Sequence, residues 1–358
     1  MKKSLIALAV MAAAGAASAQ SSVTLFGVVD ATVQRGSGSV SSKTQLGNSG
    51  YNSSRLGFRG TEDLGGGMSA SFWLEAGVAN DNGSGINTNT NNQGSGLTGG
   101  GGLTFNRRST VSLAGGWGEL RMGRDYSPQF WNLTVFDPFG TNGVGTTQTL
   151  NSIITGPTQV RASNSIGYFL PPNLGGFYGQ VQYYMGENSS GTPTEDDGKG
   201  YGLRVGFASG PFNVAVAFSK TDYLVGNSKQ ANIGGQWDFG VAKLMAHYAR
   251  DKGAFAAGSS TATTGLRDGK GWLVGTLVPV GAGEIRASYS RYSADSAGDP
   301  TSKKFALGYV HNLSKRTALY VTAARVKNSG GATQALNGAV TGVNGSSTGY
   351  DLGIRHSF

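Results

Sequence analysis

The feature that most limits the fold of this chain is an alternation of apolar and polar side chains, which recurs in segments of about ten residues from Val23 onward. A period of two residues belongs to an extended strand, whose successive side chains point to opposite faces. In the first segment the two faces carry, respectively, Val23, Leu25, Gly27, Val29, Ala31 and Val33, and Thr24, Phe26, Val28, Asp30 and Thr32. Beyond residue 19 there is no apolar run of about 18 residues, so the pattern predicts an all-β protein and not a bundle of membrane helices.

The start of the chain has the composition of a secretory signal peptide. Lys2 and Lys3 form a basic start, an apolar stretch covers residues 5–11, and Ala17-Ser18-Ala19 is a small-residue cleavage site. Such a segment is too short to span a membrane and is removed on export. We therefore expect cleavage after Ala19 and a mature chain of residues 20–358.

Composition separates this chain from a cytosolic enzyme. Charged residues make up 14% of its 358 residues, against about 25% in average soluble domains, and 60 residues are glycine, against a usual share of about 7%. The absence of cysteine excludes disulfides, thiol nucleophiles and thiolate metal sites. The mature chain has a formal charge of +7, because the leader removes two lysines from the total of +9. This charge suits nucleic acid, a membrane surface or an anion-attracting interior, and export argues against nucleic acid as a partner.

Turn residues divide the mature chain into about sixteen strands. Short turns rich in Gly, Pro and Asn recur at residues 115–116, 171–173, 209–211, 239–240, 279–283 and 312–314. Long polar stretches alternate with them at residues 78–104, 126–160, 185–198, 251–268, 294–302 and 327–346. Short turns on one rim and long loops on the other are typical of a transmembrane antiparallel β-barrel, whose closure gives every backbone group a partner in hydrocarbon. About sixteen strands enclose a water-filled channel, whereas eight would be filled by side chains.

Residues 349–358 form one more alternating segment at the end of the chain. One face carries Tyr350, Leu352, Ile354, His356 and Phe358. A strand of this kind with an aromatic terminal residue is typical of the closing strand of a bacterial outer-membrane barrel. An edge strand of a soluble β protein is the alternative.

Residues 126–160, the third long loop, are too apolar for a freely solvated loop. The large apolar side chains are Tyr126, Phe130, Trp131, Phe136, Pro138 and Phe139. We expect this loop to fold back into the barrel and narrow it. A cap on the outside of the barrel is the alternative.

Several short motifs resemble one known family over essentially the whole mature chain. They are residues 23–30 (VTLFGVVD), 54–65 (SRLGFRGTEDLG), 107–109 (RRS), 123–125 (GRD) and 353–358 (GIRHSF). In these motifs the chain is similar to the general porins of beta-proteobacteria, in particular to the anion-selective porins of the Comamonas and Delftia group. The resemblance implies a homotrimer of sixteen-stranded barrels in outer-membrane lipid and lipopolysaccharide, each with its own pore constricted by the third loop.

Arginines are the candidate functional residues. A cation on the lipid face near mid-bilayer costs roughly 2–4 kcal/mol, so Arg55 and Arg59 should face the lumen. Alternation on the third segment, around Trp73, places Glu75 inside as well.

The resemblance implies that wall arginines face acidic groups near the inserted loop. It assigns to the constriction the residues Arg55, Arg107, Arg161, Glu75 and Asp137. Alternation counted from Val111 and Leu113 instead places Arg108 inside and Arg107 outside. A β-bulge at the upper end of the strand would reconcile the two interpretations. The residues expected at the pore constriction are therefore Arg55, Arg59, Arg107, Arg108, Arg161, Glu75 and Asp137.

Together these assignments predict a water-filled channel that passes small hydrophilic solutes and prefers anions. Guanidinium groups in a narrow aperture with low-dielectric walls raise the local anion concentration, and they stay charged at physiological pH. The sequence predicts no catalytic residue, cofactor or metal site, and the acidic run at residues 195–197 is interpreted as a solvated loop tip. The rival hypotheses are an adhesive surface protein and a barrel enzyme with a Ser/His site, although His247, His311 and His356 are scattered over different strands.

Overall fold

The computed structural model describes residues 22–98, 101–150, 154–256 and 267–358. The predicted signal peptide and its cleavage site after Ala19 lie outside these residues. Within them, sixteen antiparallel strands form one closed barrel in which each strand pairs with the next along the chain. In the described ranges no helix is both long enough and apolar enough to cross a membrane.

The barrel strands, β1 to β16, follow one another along the chain. They are Ser22–Ser37, Arg55–Gly65, Met68–Ala79, Arg108–Gly115, Gly118–Tyr126, Arg161–Phe169, Phe177–Tyr184, Gly200–Ser209, Phe212–Thr221, Ser228–Asp238, Lys243–Ala256, Arg267–Val280, Gly283–Asp295, Thr301–Asn312, Thr317–Ser329 and Ser346–Ser357. Shorter elements lie in the loops: helix α1 is Pro128–Val135, a 3-10 turn is Gly94–Gly96, and short strands are Ser42–Asn48, Ser84–Gly85, Thr88–Asn89, Leu97–Thr98 and Ile154–Thr155.

The last strand closes the barrel, as the alternation at the end of the chain predicts. β16 pairs with β1 from Ser357 opposite Val28 to Thr348 opposite Ser37. On its other side β1 has two partners. Residues 22–28 pair with β2, and residues 31–37 pair with Ser42–Asn48. The first loop therefore contributes a short hairpin that continues the wall above β2.

Alternation in the sequence corresponds to the two faces of the wall. On β1 the outward side chains are 44–67% exposed, whereas Asp30 and Thr32 of the inward face are 0% and 1% exposed; the outward set is Val23, Leu25, Val29 and Val33. An exposed apolar face is stable on this barrel because it meets hydrocarbon. The predicted assignment of faces is confirmed.

The segment between β5 and β6, residues 127–160 and here called the L3 loop, folds into the barrel. Asn132 Nδ2 donates to Ala215 O at 3.0 Å on β9, and Val144 N donates to Asp351 Oδ2 at 2.7 Å on β16. These bonds tie the described part of L3 to the inner wall. The prediction of an inserted third loop is confirmed, and the alternative of an external cap is wrong.

Inward-facing glycines leave the space that L3 occupies. A Cβ atom added at Gly234 on β10 would collide with the ring of Phe136, and one at Gly275 on β12 would lie 2.6 Å from Pro138 Cγ. Three more glycines meet L3 at close range on alternate strands: Gly202 on β8, Gly308 on β14 and Gly349 on β16. Part of the high glycine content thus permits close approach of the loop to the wall.

Candidate functional site

A cavity of about 660 Å³ lies between L3 and the wall formed by β2 to β6. Its charged lining residues are Arg55, Glu75, Arg107, Arg108, Asp137, Arg161 and Arg286, and its aromatic ones are Tyr51, Trp73, Tyr126, Phe130, Trp131 and Phe139. We call this space the constriction cavity, because L3 is what separates it from the rest of the lumen.

Glu75 on β3 holds two of the arginines. Its Oε1 lies 2.5 Å from Arg107 Nε and 3.9 Å from Arg55 Nε, and its Oε2 accepts a hydrogen bond of 3.1 Å from Trp73 Nε1. The side chains of Glu75 and Arg107 are only 8% and 11% exposed, whereas that of Arg55 is 28% exposed. A carboxylate at such depth is stable only when paired, so Glu75 is committed to Arg107 and leaves Arg55 more open to solvent.

Arg107 and Arg108 both reach the constriction cavity. Arg108 is the register partner of Glu75, and its guanidinium carbon lies 4.7 Å from the centroid of the Trp73 ring. The Arg107 N–H donates to the carbonyl oxygen of that same Glu75 at 3.1 Å. Two successive residues therefore oppose one, which is the arrangement of a β-bulge. The bulge removes the conflict between alternation and resemblance, because it lets neighbouring arginines enter one space.

Tyr126 joins the arginines to the base of L3. Its hydroxyl accepts hydrogen bonds from Arg107 at 2.7 Å and from Arg161 at 3.0 Å. The Arg161 guanidinium also lies over the Tyr126 ring at 4.4 Å, and that ring stacks on Phe130 of α1 with centroids 5.2 Å apart. Tyr126 was expected only as an apolar loop residue, and alternation on β5 does not predict its position in the pore, because its neighbour Asp125 already faces inward.

Arg59 faces the lumen, as predicted, but lies nearer the short-turn end of β2. Its guanidinium carbon is 5.3 Å from the Phe26 ring centroid and 5.1 Å from that of Trp73. It is not among the described residues that line the constriction cavity. Arg59 therefore contributes positive charge to the lumen on one side of the constriction.

Asp137 lies beside the cavity, but its carboxylate is turned into L3. It accepts hydrogen bonds from the backbone N–H groups of Phe139 at 2.9 Å, Thr147 at 3.0 Å and Thr141 at 3.2 Å, and the residue is 3% exposed. Burial raises the pKa of Asp137 above the usual aspartate value. No ion pair joins it to an arginine within the described part of the chain. The Asp137 carboxylate therefore stabilises the fold of L3 and does not face the arginines.

One cation on the opposite wall was not among the site residues predicted from the sequence. Arg286 of β13 pairs with Glu284, and its guanidinium carbon lies 4.4 Å from the centroid of the Tyr51 ring. Tyr51 is held in place because its backbone N–H donates to Asp30 Oδ2 at 2.8 Å. The signal in the sequence was that Glu284 and Arg286 share the inward parity of β13.

The lining of the constriction cavity is therefore unbalanced in charge. Five arginines stand against two acids, and of these acids Glu75 is paired while Asp137 is turned away. Glu284 and Asp125, which lie outside the lining, partly compensate Arg286 and Arg108, and the remaining excess of arginines favours a positive potential.

The chain matches the model of the Gram-negative porin family over residues 5–331. Over the full length of both chains it is 38% identical to outer membrane porin protein 32 of Delftia acidovorans, and 28% identical to a major outer membrane protein P.IB of Neisseria gonorrhoeae. Among solved structures it is similar to the anion-selective porin from Comamonas acidovorans, with a TM-score of 0.81 and 34% identity over 95% of this chain and 100% of that one.

A second solved structure, the trimer form of OmpT from Vibrio cholerae, matches 94% of this chain and 99% of that one with a TM-score of 0.63. At 13% identity this likeness shows the fold alone. The family model and the Delftia relative cover most or all of the chain, and the closed sixteen-stranded barrel agrees with solved porin structures. The chain is therefore a member of the Gram-negative porin family, an outer-membrane porin.

Proposed function

We propose that this porin prefers anions among the small hydrophilic solutes that diffuse through it, and that Arg55, Arg107 and Arg161 generate the preference. The observation that carries the proposal is the charge imbalance of the constriction cavity, where five arginines meet one paired and one turned-away carboxylate. The name of the Comamonas relative, an anion-selective porin, supports the same conclusion.

The surroundings of the arginines strengthen their effect on passing ions. L3 presents Phe130, Trp131 and Phe139 to the cavity, and apolar walls concentrate the electric field in the remaining water. A guanidinium roughly 8 Å from an ion, at an effective dielectric constant of about 40–80, contributes about 0.5–1 kcal/mol. Three such groups would change the anion-to-cation ratio by roughly tenfold or more.

We further propose that the channel acts passively, without catalysis. His247 supports this view, because it is 4% exposed and lies against L3, with Nε2 3.2 Å from Thr147 Oγ1. A histidine packed under a loop is out of reach of a substrate in the channel.

Processing and assembly complete the proposal. The basic start, the apolar stretch and the Ala17-Ser18-Ala19 site support removal of residues 1–19. The trimer form of the OmpT neighbour and the apolar outer face of the barrel support a homotrimer in outer-membrane lipid.

A planar bilayer recording under a potassium chloride gradient tests the proposed preference. We expect stepwise conductance and a reversal potential of anionic sign. In the variant Arg55→Gln/Arg107→Gln/Arg161→Gln the anion preference should fall by roughly tenfold, while insertion and the heat-modifiable oligomer persist. A cationic sign in the wild type, or an unchanged reversal potential in the triple variant, would overturn the arginine assignment.

A further inference from the structure

Arg124 lies outside the channel, on the outer face of β5 near the loop rim. Its register partner is Ser109 of β4, and the next outward residues on these strands, Met122 and Val111, are 46% and 52% exposed. A cation on this face is costly unless it is covered. Here the cover is the loop between β3 and β4, residues 80–107 and here called the L2 loop.

The guanidinium of Arg124 is held by three neutral acceptors. Nε donates to Asn106 O at 2.6 Å, and one terminal nitrogen donates to Asn89 O at 3.0 Å and to Ser163 Oγ at 2.7 Å. Among the described residues no carboxylate forms an ion pair with it. A planar fork with several fixed donors suits this task, because it spans three segments of chain at once.

The first of these bonds leads to a pore arginine. Asn106 O belongs to the peptide unit that joins Asn106 to Arg107, and the N–H of that unit donates to Glu75 O at 3.1 Å. The Arg124 side chain and the backbone carbonyl of Glu75 therefore hold the same peptide unit at its two ends, one at the C=O and the other at the N–H. The carbonyl oxygen of Arg107 in turn accepts a bond of 2.8 Å from Arg161 Nε.

The second connection leads to the strand that carries Arg161. Ser163 lies two residues further on, where the pairing of β6 with β5 shifts register. Asn92 of L2 brackets this point, because its Oδ1 accepts from Ser163 N at 2.7 Å and its Nδ2 donates to Ser163 O at 3.0 Å. Arg124 thus binds L2 and the β6 bulge together, directly behind the arginines of the pore.

We propose that Arg124 is a positioning residue for ion selectivity. From the outer face of the barrel it orients the backbone that presents Arg107 and Arg161 to the constriction cavity. Its contribution comes from its three hydrogen bonds and not from its charge. The inference rests on the proposed anion preference.

The test compares Arg124→Gln and Arg124→Lys with the wild type in a bilayer under a potassium chloride gradient. Lysine keeps the charge but not the planar fork, so both variants should lose anion preference by about two- to threefold. Arg291→Gln is the matched control, because Arg291 is an exposed arginine on the outer face of β13 near the same rim and should leave selectivity unchanged. Full wild-type preference in Arg124→Lys would mean that charge alone matters and would overturn the inference.

The triple variant of the pore arginines is recorded alongside. If it loses anion preference while the Arg124 variants do not, the inference fails and the proposed function stands. If the triple variant keeps its preference, the proposed function itself falls. A second readout does not depend on selectivity: hydrogen exchange of the Arg107 amide in detergent-solubilised protein should accelerate at least several-fold in both Arg124 variants. Unchanged exchange would contradict the positioning role.

Discussion

The two halves of the inner wall shape the aperture with different kinds of residue. The wall from β2 to β6 carries long cationic side chains, among them Arg55 and Arg161, which line the constriction cavity. The wall from β8 to β16 carries glycines such as Gly234 and Gly275 on alternate strands, and L3 lies directly on them. The aperture is therefore set as much by missing side chains on one wall as by charged ones on the other.

Apolar anchors hold L3 on its glycine wall. Phe136 is fully buried, and Phe139 and Val144 are 4% and 3% exposed. Phe139 and Val144 pack in one cluster with wall and loop residues Ala306, Ala324, Val326 and Leu336. Burying a large apolar side chain contributes about 1.5–3 kcal/mol, so these three anchors favour the docked position of the loop.

The largest effect should come from filling the space beneath the loop. In Gly234→Val the new side chain would collide with the Phe136 ring, so L3 must move toward the constriction cavity. Overpacking of this kind costs typically about 1–3 kcal/mol, and we expect the single-channel conductance to fall by roughly half or more.

Gly235→Val provides the matched control for this change. Gly235 is the next residue on the same strand but faces outward, and a Cβ there would have its nearest neighbour at 3.4 Å. The Gly235→Val variant should therefore have the single-channel conductance of the wild type. Equal conductance in Gly234→Val and Gly235→Val would contradict the role assigned to the glycine wall.

An intermediate effect on anion preference is expected when the two carboxylates of the constriction are neutralised one at a time. Glu75→Gln removes a negative charge beside Arg107 and Arg55 and should raise the anion preference by a factor of roughly two to six. Asp137→Asn removes a charge whose carboxylate is enclosed by three backbone N–H groups, so its effect should be less than half as large. Reversal potentials measured in one salt gradient give both values, and a larger change in Asp137→Asn would show that this acid faces the pore after all.

The smallest effect is a pH dependence of loop stability. Burial raises the pKa of Asp137, so docked L3 binds a proton more readily than the free loop does. The stabilisation is complete below the ordinary value of 3.8 and is lost as pH rises through the raised pKa. We expect the thermal stability of the wild type relative to Asp137→Asn to decrease with rising pH over that window. A difference that is flat or increases with pH would refute this assignment.

Much of the architecture follows from the pattern of residues alone. Alternation with a period of two predicts which side chains of β1 meet lipid, because exposing polar groups to hydrocarbon is costly. The aromatic content of residues 126–160 predicts an inserted loop, because exposing so many apolar side chains to water is costly as well. The lumen position of Arg55 and Arg59 follows from the same cost. The interpretation of residues 349–358 as the closing strand is confirmed, because this strand pairs with β1. It could be predicted because a sheet in hydrocarbon must close and leave no edge.

The details of the site depended on contacts between distant parts of the chain. Alternation could not place Arg107 and Arg108 together, because a bulge breaks the parity on which alternation depends. Nor does the sequence show that Asp137 turns away, since its partners lie within a folded loop. Arg124 is the clearest case: its acceptors come from three separate segments, and only folding brings Asn106 and Ser163 to one guanidinium. The local alternation determines which face of the wall a side chain lies on, whereas contacts with distant segments of the chain determine its role there.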